Sequence, residues 1–278
     1  MYFEKPLHEI QDLKDHLNNP LIQFLDCSMD KVDKPLPKSG IQYLPSAIFF
    51  DIEGSFSDHQ SKLPHSLPSP GDFEKEMQNL GINQDTILVL YDRWGVYSSP
   101  RAWWMLKTMG AKEVYIINGG LPEWLKQKMP TQKSLKENVA KGNFKVDFKS
   151  EWFADKNYVL KHYKNTDINI VDARSKGRFS GLVSEPRKGL ISGHIPHSIN
   201  LPFQDVLEET KFKSKEDLKD IFKSHKITQH EQVFTCGSGV TASILAFANY
   251  YIGNSNTRVY DGSWAEWGIE EFNLPVMR

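Results

Sequence analysis

At 278 residues, the chain exceeds a typical single domain and points to two. A composition 39% hydrophobic and 12% aromatic is enough to build cores, while 34 basic against 35 acidic residues leave the charge close to balance. That balance argues against nucleic acid or an anionic membrane as the main partner, so electrostatic work falls to a few placed side chains.

In chain order, Met1 to Glu9 carries charges early and lacks the pattern of a secretory signal. Ile22-Gln-Phe-Leu-Asp26 is an apolar run closing on an aspartate, and Tyr43-Leu-Pro-Ser-Ala-Ile48 reads as a turn. Ile87 to Tyr91 has the compact apolar character of a buried parallel strand. A turn leads from it into a helix over Pro100 to Leu106 that ends before Gly110, and Val114 to Ile117 is the next strand. Gly119-Gly-Leu-Pro-Glu-Trp124 closes this series.

The landmarks then recur in the same order. Ile168-Asn-Ile-Val-Asp172 matches 22–26, and His194-Ile-Pro-His-Ser-Ile199 matches 43–48. Gln232-Val-Phe-Thr-Cys236 matches the run ending at Asp92, and Asp261-Gly-Ser-Trp-Ala-Glu-Trp267 matches 119–124. The second copy repeats the rhythm with a strand at Val233–Thr235, a helix from about Thr241 to Tyr251, and a strand at Arg258–Tyr260. The fold class expected is α/β, each copy a mostly parallel sheet flanked by helices. The expected division is a first domain at 1–130, a linker at 131–147 and a second domain at 148–278.

No stretch approaches the roughly 20 apolar residues of a membrane span. The two cysteines, Cys27 and Cys236, lie far apart. A disulfide scaffold and a structural zinc site are therefore both disfavoured, and a reducing cytoplasm is the expected location. Cys236 follows a strand and precedes a helix, where open α/β sheets gather ligands. Gly237 and Gly239 allow a tight curl through positive φ. Inward N–H groups and the helix N-terminus then favour a thiolate and offer a cradle for an anion on its sulfur. Cys27 has no glycine-rich loop and reads as structural. The sixth position after Cys236 is Ala242 rather than arginine, which disfavours a cysteine phosphatase.

The segment Cys236-Gly-Ser-Gly-Val-Thr-Ala242 resembles the active loop of the tandem-rhodanese family, in its 3-mercaptopyruvate sulfurtransferase branch. Pro100-Arg-Ala-Trp-Trp104 and Asp261-Gly-Ser-Trp264 extend the likeness over nearly the whole chain. The thiosulfate-using branch typically has Arg and Lys after the cysteine, where this chain has Gly237 and Ser238. The resemblance implies a first domain without the nucleophile, Asp92 standing in its place. It implies sulfur transfer from 3-mercaptopyruvate through a Cys236 persulfide to a thiol or cyanide, with release of pyruvate and no cofactor. A small-molecule donor and a thiol acceptor, thioredoxin among the candidates, are the expected partners.

By the same resemblance, Arg178 and Arg187 hold the substrate carboxylate and ketone, a task suited to the guanidinium fork. The loop residues Gly237, Gly239, Val240 and Thr241 complete the substrate side. Ser238, His65 and Glu53 are the expected proton relay, with Glu53 where many relatives have Asp and the spacing one residue longer. Arg174 reads as half of a structural ion pair, and His194 as a turn residue. The alternatives are a thiosulfate sulfurtransferase and a non-catalytic sulfur-carrier or binding module.

Overall fold

The computed structural model describes residues 2–137, 139–227 and 231–278, so Met1 and Asn138 of the segment read as linker lie outside the described residues. The chain divides into two compact units. Unit 1 comprises 1–59, 67–149 and 209–212; unit 2 comprises 60–66, 150–208 and 213–278.

Unit 1 runs β1 (Leu7–His8), α1 (Ile10–Leu13), β2 (Ile22–Asp26), β3 (Ile48–Phe49), α2 (Pro70–Asn79), β4 (Ile87–Tyr91), α3 (Ser99–Thr108), β5 (Val114–Ile117) and α4 (Gly120–Lys126). Its sheet has five strands, all parallel, in the order β1-β5-β4-β2-β3. Every residue of β4 is buried, as its unbroken apolar run requires of a central parallel strand. Tyr91, Phe24 and Trp124 contribute to the core on one side of this sheet.

Unit 2 follows the same plan with β6 (Phe153–Ala154), α5 (Lys156–His162), β7 (Ile168–Asp172), α6 (Lys176–Phe179), β8 (Ile199–Asn200) and a short β9 (Leu207–Glu208). A short strand β10 (Lys211–Phe212) belongs to unit 1. Unit 2 resumes with α7 (Lys215–Ser224), β11 (Glu231–Thr235), α8 (Val240–Tyr251), β12 (Thr257–Tyr260) and α9 (Ser263–Trp267). The parallel order β6-β12-β11-β7-β8 repeats that of unit 1, so the α/β architecture expected from the repeat is the one observed.

Residues 131–137 and 139–147 pack on unit 1. Gln132 bridges Tyr43, the Lys136 N–H donates to Ala47, and Gly142 and Phe144 donate to Gln78 and Ile82. Phe144 is buried and anchors this otherwise polar stretch. Among the described residues no helix is long and apolar enough to cross a membrane.

Candidate active site

Register positions the chemistry. β11 pairs with β7 so that Thr235 lies opposite Asp172 at the carboxyl end of the sheet, and Cys236 is the next residue. Its thiol is free and buried. The loop turns into α8 at Gly239, whose φ of +79° is the left-handed conformation that glycine adopts at least cost. Gly237 is different from the sequence expectation, because its φ is not positive. Its requirement is space: a Cβ there would stand 3.1 Å from Nη2 of Arg178 and 3.6 Å from Nη1 of Arg187.

The start of α9 clamps the loop from the other side. The Ser263 hydroxyl accepts the Cys236 N–H at 3.1 Å and donates to the Tyr260 carbonyl at 2.8 Å. The N–H groups of Trp264 and Ala265 donate to the carbonyls of Cys236 and Gly237 at 3.0 and 2.9 Å. In unit 1, Gly120 occupies the place of Ser263 with the same φ of +49°, and Leu121 donates to the Asp92 carbonyl as Trp264 does to that of Cys236. The Ser263 contact was missed at the sequence level. Its signal was the alignment of Ser263 with a glycine in the other copy.

Three of the expected site residues meet at Ser238. His65 Nδ1 lies 3.0 Å from its hydroxyl oxygen, and Nη2 of Arg187 donates to it at 3.4 Å. His65 belongs to unit 2 through the segment 60–66, while Glu53 belongs to unit 1. The Glu53 carboxyl is raised above its ordinary pKa, first by partial burial and then by Asp30 and Asp51.

Behind the loop lies an ion-pair chain. Asp172 accepts Nε and Nη2 of Arg174, the latter at 2.6 Å, and Arg174 packs over the Trp264 ring at 4.2 Å. Burial works against the Arg174 charge, but Asp172 and Glu185 outweigh it and raise the pKa. Arg174 is therefore the structural residue it was read to be. Arg178 gives its Nε and Nη2 to Glu185 at 3.2 and 2.5 Å. His194 accepts a structural place too, with Nδ1 2.8 Å from the Phe179 carbonyl and its ring stacked on Phe179. Among the described residues no carboxylate pairs with Arg187.

Both copies match the rhodanese-like domain, over residues 9–127 and 155–270. The chain belongs to the rhodanese-like family. A 3-mercaptopyruvate sulfurtransferase of Escherichia coli K12 is 38% identical over 269 residues, covering 95% of both chains. The human enzyme of the same name is 37% identical over 230 residues, covering 81% of this chain and 77% of its own. The crystal structure of SseA from Escherichia coli, described as a 3-mercaptopyruvate sulfotransferase, superposes with a TM-score of 0.83 at 34% identity, covering 94% of this chain and all of that one. A rat thiosulfate sulfurtransferase is also 38% identical, over 231 residues that span 81% of this chain and 77% of its own.

The rhodanese-like copies differ at one decisive position. Asp92 stands in unit 1 where Cys236 stands in unit 2, and its carboxylate is fully engaged. One oxygen accepts the N–H groups of Tyr97, Ser98 and Ser99 at 2.9 to 3.0 Å and the Ser99 hydroxyl at 2.8 Å, and the other accepts the Trp94 N–H at 2.9 Å. The unit 1 loop, ahead of α3, is thus a cradle of N–H and O–H donors around the Asp92 side chain.

Proposed function

We propose that the protein is a 3-mercaptopyruvate sulfurtransferase that works through a persulfide on Cys236. The observation that carries the reading is the free Cys236 thiol at the head of α8, with the guanidiniums of Arg178 and Arg187 over Gly237. The relatives in E. coli and human carry the same activity in their names.

The Cys236 thiolate attacks the donor sulfur, forming an S–S bond as the C–S bond breaks. The electron pair leaves on carbon as the enolate of pyruvate, and a proton delivered there yields pyruvate. Arg187 and the outward side of Arg178 orient the carboxylate and ketone, as planar forks suit planar groups. Ser238, hydrogen-bonded to His65, relays the proton. The N–H groups of Val240 and Thr241 and the flanking Gly237 and Gly239 line the cradle for the outer sulfur. A thiolate or cyanide then attacks that sulfur and regenerates the Cys236 thiolate, which is a ping-pong course. Acceptors of this kind include small thiols and a protein thiol such as thioredoxin. With both cysteines free, a reducing cytoplasm suits this chemistry.

The likeness to a thiosulfate sulfurtransferase favours a second reading, with thiosulfate as donor. A donor panel with pyruvate detection tests both. Faster turnover with mercaptopyruvate is expected; preference for thiosulfate reverses the assignment. No sulfur uptake from either would make the chain a binding module.

A further inference from the structure

The guanidiniums that face the Cys236 loop are not electrically equivalent, and the difference has one source. Glu185 is almost fully withdrawn from water, its side chain 1% exposed. One of its oxygens accepts Nη1 of Arg174 at 2.9 Å and Nε of Arg178 at 3.2 Å; the other accepts Nη2 of Arg178 at 2.5 Å. The Nε–Nη2 edge of Arg178 is thereby occupied, and its outer face points to the loop, with Nη2 and Nη1 at 3.1 and 3.7 Å from a Cβ position on Gly237. Asp172 and Glu185 together balance Arg174 and Arg178, which leaves Arg187 as the charge not met by a carboxylate among the described residues. Within this cluster, two carboxylates set against three guanidiniums leave one unit of positive charge, the Cys236 thiolate of the reaction being counted apart from it.

We propose that Glu185 is the positioning residue that sets the charge of the preferred donor, holding the arginine–carboxylate cluster at one positive unit and so selecting a monoanionic α-keto thiol over dianionic thiosulfate. This rests on the sulfurtransferase reading above. Glu185 and Arg174 are withdrawn from water and Arg178 is 23% exposed, so a charge mismatch is screened less than at the open surface, and a second negative charge on the donor meets no further cation of the cluster. The bidentate pairing also fixes the Arg178 plane, which a longer or mobile partner would not do.

The test compares kcat/KM for thiosulfate and for mercaptopyruvate in the unaltered protein and in Glu185→Gln, Glu185→Asp, Arg178→Gln and Arg178→Gln/Glu185→Gln. Glu185→Gln adds one positive unit, and the thiosulfate-to-mercaptopyruvate ratio should rise about tenfold. Glu185→Asp keeps the charge and should keep the ratio within about twofold, even where both rates fall. Arg178→Gln removes a positive unit and should lower the ratio, while the double substitution restores the count and should return it towards the unaltered value. If Glu185→Gln alone fails to fold, as thermal unfolding would reveal, the contrast between Arg178→Gln and the double variant carries the test. A ratio that stays constant across the folded variants overturns the role of Glu185. Absence of a Cys236 persulfide with either donor in the unaltered protein overturns the sulfurtransferase reading instead, so the two failures are distinct.

Discussion

After β4 and after β11 the chain turns into a helix, over residues 92–98 in unit 1 and 236–239 in unit 2, and the two turns carry different side chains at their first position. In unit 1, Asp92 sends a carboxylate into its own loop, where four backbone N–H groups and a hydroxyl receive it. In unit 2, the residue after the strand is a free cysteine, Cys236, and the turn ahead of the helix is shorter. A cysteine ends one atom short of a carboxylate oxygen, so a second sulfur on Cys236 would have the reach of an Asp92 oxygen. On the proposed mechanism, that is the place a persulfide's outer sulfur on Cys236 would take. The two cysteines make the same point from the other direction. Cys27, buried beside Asp26 and Asp92, has its thiol held well above the ordinary range by desolvation and then by those carboxylates.

The contrast breaks most visibly at the nucleophile. Cys236→Ser should reduce turnover by about a thousandfold or more while thermal unfolding stays near that of the parent, because the loop is held by backbone contacts. Retained turnover would place the chemistry elsewhere. Next in size is Asp92→Ala, which strands several buried N–H groups and should cost about 3–5 kcal/mol in denaturant unfolding. A cost under about 1 kcal/mol would mean the unit 1 cradle is not occupied by this carboxylate.

The strand-end aspartates sharpen the comparison. Asp172→Asn breaks a buried pair with Arg174 and should destabilise by about 3 kcal/mol. Asp26→Asn should cost far less, since burial already raises the Asp26 pKa against the lowering by Ser28 and Arg93. The sign follows from linkage. A folded pKa above the unfolded one means that the folded state holds its proton more tightly. The parent should therefore lose stability relative to Asp26→Asn as the pH rises from about 4 through the folded value, and flat pH dependence would refute the assignment.

Arg187→Ala should raise KM for mercaptopyruvate by about thirtyfold, near 2 kcal/mol, with a smaller change in kcat. An unchanged KM would return Arg187 to the solvated surface. Smallest is His65→Asn, expected to lower kcat about tenfold through loss of the bond to Ser238. An unchanged kcat would leave His65 with only a structural bond to Ser238.

Much of this was legible in the residues. The strands at 22–26, 87–91, 114–117 and 168–172 have the bounds their apolar runs announced, because a buried parallel strand has no polar face to blur it. The repeat set Asp92 against Cys236 before any coordinates did. Glu185 was not legible, because a carboxylate buried between two arginines reads in sequence like any charged loop residue. Gly237 was recognised for the wrong reason, since conformational demand and lack of space leave the same residue. Residues 131–147 read as linker for want of an apolar period, yet backbone hydrogen bonds and Phe144 suffice to hold them on unit 1.

The most direct measurement is mass spectrometry of the protein after brief exposure to 3-mercaptopyruvate without acceptor, with peptide mapping and parallel assay of pyruvate. The account predicts one added sulfur on Cys236, none on Cys27, one pyruvate released per chain, and loss of the added mass when a thiol or cyanide is supplied. Sulfur on Cys27, or pyruvate released from a chain lacking the Cys236 thiol, would contradict it.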